Sequence, residues 1–154
     1  MAENLEKVKL QALDLRENRA FPRSPRALLG GYVIVGRTLD KVRAALTDQV
    51  GEYHIDCPVD NIWLGFTEIK FEDFKNFVAT GASDVEVGEW VAKHAKQRSR
   101  EEIIQWNNKQ RDARLSEMPV KLQVYMEDYI PQFVPNNRPV YTFFDVYDLE
   151  EQRI

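Results

Sequence analysis

Apolar residues recur along this chain at alternating steps of three and four, the period of an amphipathic helix, and strict polar/apolar alternation is nowhere sustained. The most extended stripe runs through Leu28, Tyr32, Val35, Leu39, Val42 and Leu46. Ser24-Pro25 stands just ahead of it: a hydroxyl able to accept an orphan backbone N–H, then a residue that needs no donor. The pattern predicts one long helix from this start. Gly30-Gly31 falls inside it, at about 1 kcal/mol per glycine relative to alanine in a helix interior. Either a close helix crossing or a break after a short first helix must offset that cost.

Gly51 closes the segment, and Tyr53 to Asp56 form a loop. Asp56 or Cys57 then caps a second helix, with Pro58 near its first position and Ile62, Trp63 and Phe66 behind. Phe71, Phe74, Phe77 and Val78 make a third amphipathic stretch that Gly81 stops. Ser83-x-x-Glu86 and Ser99-x-x-Glu102 are capping boxes, in which each side chain satisfies a free N–H at a helix start. A further helix begins near Pro119 and runs through Leu122, Tyr125, Met126 and Tyr129, with Pro131 and Pro135 weakening its end. The tail from Val140 to Arg153 is apolar and then acidic, and fits a strand or a helix. The expected architecture is a charged, flexible segment over residues 1–13, followed over 14–154 by a single all-α domain of six or seven helices.

Composition narrows the class. With 44% hydrophobic residues and eight Phe, six Tyr and three Trp, the chain of 154 residues has the means to bury a core. A net charge of -4, with cations and acids interspersed, argues against a nucleic-acid partner. No stretch approaches the roughly 20 apolar residues that span a bilayer, so no membrane partner is expected. The charged N-terminus lacks the apolar core of a signal peptide. One cysteine excludes an intrachain disulfide and fits a reducing, cytoplasmic setting.

The blocks FPRSPRALLGGYVIVGRTLDKVRA, GEYHIDCPVDNIWLGFTEI, GASDVEVGEWV, SREEIIQWN and FFDVYDLEEQR together resemble a bacterial family catalogued only as domain of unknown function 5069. The resemblance extends from Asp14 to the end of the chain. It implies one compact domain and sets Arg23, Arg26, Arg37, Asp40, Lys41, His54, Cys57 and Asp60 on motif positions, and it brings no activity. Lys70 departs from the family pattern, which has a capping Asp there, and implies a weaker or shifted helix start.

Candidate chemistry concentrates between Phe21 and Phe66. Arg26, Gly30, Arg37 and Lys41 fall on one side of the expected long helix, with Arg23 just before it. Guanidinium forks bind carboxylate or phosphate, and Gly30-Gly31 would let a ligand approach the backbone. The competing reading pairs Asp40 with Arg37 and Arg43 on a wet surface. Cys57 at a helix N-terminus is a candidate nucleophile, with His54 as its base and Asp60 orienting the imidazole. Against it, Cys57 would be a small packed residue and Asp60 a helix cap. A metal site from His54, Asp56, Cys57 and Asp60, with His94 the only other imidazole, lacks paired ligand spacing. Trp106-Asn107 with Arg111 and Arg114 could line a cleft, but Trp106, Trp63 and Trp90 fit a core better. Walker, GxGxxG, HExxH and GxSxG motifs are missing from the sequence.

The leading expectation is a cytosolic domain that binds a small anionic ligand through Arg23, Arg26, Gly30, Gly31, Arg37, Lys41 and Tyr53, with or without thiol chemistry at Cys57. The alternative is an interaction or scaffolding module that self-associates through the long helix or through Tyr141, Phe143, Phe144 and Tyr147 in the tail.

Overall fold

The computed structural model describes residues 2–137 and 139–154. Among these the chain is mostly helical, with eight α-helices and one two-stranded hairpin. It clusters into two compact units, Met1–Ile103 and Ile104–Ile154.

The first unit opens with α1 (Ala2–Gln11), where residues 1–13 were expected to be flexible; Val8 on α1 is buried. The stretch read as the start of a long helix folds differently. Ser24 begins a turn, its carbonyl accepting from the Ala27 amide (3.0 Å) and its hydroxyl from the Arg26 amide (3.1 Å). Strands β1 (Leu28–Leu29) and β2 (Tyr32–Val33) then pair antiparallel. Gly30 and Gly31 form the tight turn between them at φ +62° and +92°. Positive φ at both central residues is what a two-residue hairpin requires and what a helix forbids, so the glycines are used rather than tolerated. The 28/32 spacing imitated a helix by accident: Leu28 is exposed while Tyr32 is buried.

Helix α2 (Val35–Leu46) therefore starts ten residues later than the Ser24-Pro25 signal suggested. Ile34 makes the junction at φ +76°, a strained conformation for a β-branched residue, held by its amide's bond to the Pro25 carbonyl (2.8 Å). Every residue of α2 from Val35 to Ala44 is buried.

Around α2 pack α1, α3 (Pro58–Thr67) and α4 (Phe71–Val78), with α5 (Asp84–His94) against α4. Trp63 and Phe74 are wholly buried and meet edge to face at 5.1 Å, and Phe77 stacks on Trp90 at 5.2 Å. The α5 start has the expected Ser83–Glu86 capping box. At Lys70 the α4 start stays in place without any side-chain cap.

Helix α6 (Arg100–Asp112) begins at the Ser99–Glu102 box and leads into the second unit, which also holds α7 (Val120–Phe133) and α8 (Phe143–Glu150). The tail is a helix, not a strand: Thr142 bridges to Arg114 and then caps α8 by a box with Asp145. Phe143, Phe144, Val146 and Leu149 are buried, as are Met126 and Val134. No helix is long and apolar enough to cross a membrane among the described residues.

Candidate functional site

The polar residues of α2 do not face water. Arg37, Asp40, Lys41 and Arg43 are only 3%, 4%, 3% and 3% exposed. Ionic side chains at that depth persist only when paired, and the pairs of Asp40, Lys41 and Arg43 fall into two clusters.

The first cluster is built on Asp40. Its carboxylate accepts from the Arg23 backbone amide (2.8 Å), Nε (3.0 Å) and Nη2 (2.9 Å). Arg23 Nη1 continues to Asp84 on α5 (2.9 Å), which also accepts from Arg43 Nη1 (2.7 Å). Arg43 Nη2 donates to Gln11 Oε1 and to the Ala82 carbonyl. A Cβ at Gly36 would lie 3.3 Å from Arg23 Cδ and Nε, so the missing side chain makes room for the guanidinium. Burial opposes charge on Arg23, but its bonds to Asp40 and Asp84 outweigh that and raise its pKa. Burial likewise pushes the Asp84 carboxyl up, yet bonds from Arg43 and Arg23 hold it below the ordinary value.

The second cluster is built on Asp60, whose side chain is wholly buried in the first turn of α3. Oδ1 accepts from Thr38 Oγ1 (2.6 Å) and from Lys41 Nζ (3.0 Å). Oδ2 faces the Cys57 amide (3.4 Å), which makes Cys57 rather than Asp56 the cap of α3. Trp63 Nε1 donates to Thr38 Oγ1 (2.9 Å), so the hydroxyl passes a hydrogen bond from the core indole to the carboxylate. Lys41 Nζ also lies 3.4 Å from Cys57 Sγ. Cys57 is partly exposed, while Lys41 is buried.

A family model described as a domain of unknown function, DUF5069, matches residues 19–153. The chain belongs to this family. No curated protein matches it at a significant level.

In this DUF5069 chain the residues singled out from sequence are sorted by the fold. Lys41, Cys57 and Asp60 meet directly, and Arg37, one turn before Lys41 on α2, lies with its guanidinium carbon 5.7 Å from the centre of the Tyr53 ring. Arg37 also donates to the Arg23 carbonyl (3.3 Å). Arg26, Gly30 and Gly31 are not on that helix at all, because the hairpin intervenes. Arg23 is close by but bonded to two carboxylates. Asp40 pairs with Arg23, 17 residues away, instead of with its helix neighbours Arg37 and Arg43.

His54 is exposed and bonds to neither Cys57 nor Asp60, so the expected relay from Asp60 through an imidazole to the sulfur does not form. Lys41 stands where the histidine was expected. His94 stacks on Trp90 at 4.3 Å, with Nδ1 at 2.8 Å from the Trp90 carbonyl. No group of three or more His, Cys, Asp or Glu suited to a metal ion occurs among the described residues. Trp106 is half-buried on α6, and Arg114 reaches over the Tyr141 ring at 5.9 Å.

Sequence reasoning missed Thr38, Trp63 and Asp84 as members of these clusters. Thr38 and Lys41 sit three residues apart on one face of α2, which is a local signal; their partner on α3 and the role of Asp84 follow only from tertiary packing.

Proposed function

We propose that this chain is a cytosolic domain that binds a small anionic ligand at the start of α3, with Cys57 Sγ as the atom that reacts with it. The contact of Lys41 Nζ with Cys57 Sγ at 3.4 Å, at a helix N-terminus, carries this reading. A helix start holds partial positive charge, and the Lys41 ammonium, paired with Asp60 on one side, lies beside the sulfur. Cysteines in partly exposed, electropositive surroundings are those that act as nucleophiles. Arg23 and Arg43 contribute architecture, since Asp40 and Asp84 already engage them.

The test compares alkylation by iodoacetate, which is anionic, with alkylation by neutral iodoacetamide, read at Cys57 by mass spectrometry. The expected iodoacetate preference, relative to a small free thiol under the same conditions, is about tenfold or more, the scale of local electrostatic enrichment. A ratio equal to that of the free thiol would sink the reading.

A second reading, an interaction module, draws on α7, where Val120, Val124, Tyr125 and Phe133 are exposed. Of the other surfaces this reading would use, α2 is buried from Val35 to Ala44 and so are Phe143 and Phe144 in the tail, while Tyr141 is exposed. Sedimentation velocity that gives a monomer for both wild type and Val124→Glu would end this alternative.

A further inference from the structure

We propose that Cys57 and Lys41 form a peroxide-driven covalent switch, closing a sulfenamide bond between Sγ and Nζ. The inference rests on the reading of Cys57 as a reactive thiol and adds its regulation. The geometry is that of two reactants already in contact. Nζ lies 3.4 Å from Sγ, and Asp60 Oδ1 holds it at 3.0 Å. Lys41 is only 3% exposed and its ammonium is held by Asp60, which keeps the amine beside the sulfur. Cys57 is partly exposed, so a molecule as small as hydrogen peroxide reaches the sulfur.

In the first step the sulfur attacks a peroxide oxygen. An S–O bond forms, the O–O bond breaks, and water leaves behind the sulfenic acid of Cys57. In the second step Asp60 Oδ1 takes a proton from the Lys41 ammonium and the freed lone pair attacks Sγ. The N–S bond forms as the S–O bond breaks, and the hydroxyl departs as a second water with the proton that the attacking nitrogen then sheds, the first staying on Asp60. Overall a thiol, an amine and one peroxide give a sulfenamide and two waters, with sulfur oxidised and peroxide reduced. An external thiol reverses the bond by attacking Sγ, returning the Lys41 amine and leaving a mixed disulfide that a second thiol resolves.

The bond would remove the nucleophile and the cation of the ligand site in one event and tie α2 to the start of α3. Oxidation therefore switches the site off and also shields Cys57 from irreversible sulfinic acid.

The full-length protein is treated with equimolar hydrogen peroxide, digested without reductant and analysed by mass spectrometry. The expected product is a linked peptide pair joining Lys41 to Cys57, lighter by two hydrogens than the two peptides together and abolished by dithiothreitol. Lys41→Arg keeps the positive charge and should instead accumulate sulfinic acid at Cys57 with no link. Wild-type protein that runs to sulfinic or sulfonic acid unlinked, keeps an unoxidised thiol, or links Cys57 to another lysine overturns the switch; none of these readouts needs the variant to fold. An iodoacetate preference without the link overturns the switch alone, and a link without that preference overturns the ligand reading alone.

Discussion

Lys41 Nζ lies 3.0 Å from Asp60 Oδ1, and both side chains are closed off from water. Removing one partner leaves a buried uncompensated charge, which costs about 3–5 kcal/mol, whereas replacing both by apolar groups is often nearly neutral. Lys41→Met alone should therefore lower the urea midpoint sharply, and the Lys41→Met/Asp60→Leu double variant should recover part of the loss. The recovery is incomplete because Thr38 and the Cys57 amide lose their acceptor. Chemical denaturation of the three proteins checks the order.

Gly30 and Gly88 bring the hairpin turn and α5 into backbone contact. A Cβ on Gly30 would sit 2.7 Å from the Gly88 carbonyl oxygen, whereas one on Gly31 meets nothing within 4 Å. Gly31→Ala carries only the cost of its positive φ, about 1–2 kcal/mol. Gly30→Ala adds overpacking of about 1–3 kcal/mol to a similar backbone cost. Thermal melts should rank wild type above Gly31→Ala and Gly31→Ala above Gly30→Ala.

Asp84 supplies a pH dependence of definite sign. Its folded pKa is held below the ordinary 3.8, so its contribution to stability is fully present above that value. The contribution declines as pH falls through the lower folded pKa, where protonation releases Arg43 and Arg23. Asp84→Asn should be less stable than wild type at pH 7, and the gap between their melting temperatures should narrow steadily below pH 4. A gap that stays constant down to pH 2 would contradict the pairing.

Local signals in the sequence were legible and distant ones were not. The Ser83–Glu86 and Ser99–Glu102 boxes and the Cys57-Pro58 start are each decided within a few residues, and the helices begin there. Thr142–Asp145 follows the same logic with the shorter acid, and marks the tail as helical. Leu28 and Tyr32 misled because a two-residue strand pair can match helical spacing by chance; the glycine pair between them was the better guide. The bond of Arg23 to Asp84 spans 61 residues and that of Lys41 to Cys57 spans 16, so no periodicity encodes them. The clustering of charged residues near Cys57 could be read, but not which charge faces which. Asp60 was expected to serve His54, and it serves Lys41 and Thr38.

The central claim is that folding places Cys57 sulfur where it reacts more readily, next to Lys41. The rate of Cys57 alkylation by iodoacetate in the native protein, set against the same protein unfolded in urea with equal denaturant corrections from a free thiol, measures this without any substitution. The expected result is a native rate about tenfold or more above the unfolded one, since nearby cations and a helix N-terminus activate thiols. A native rate below the unfolded one would mean that the fold only protects the sulfur, and would contradict a reactive site at Cys57.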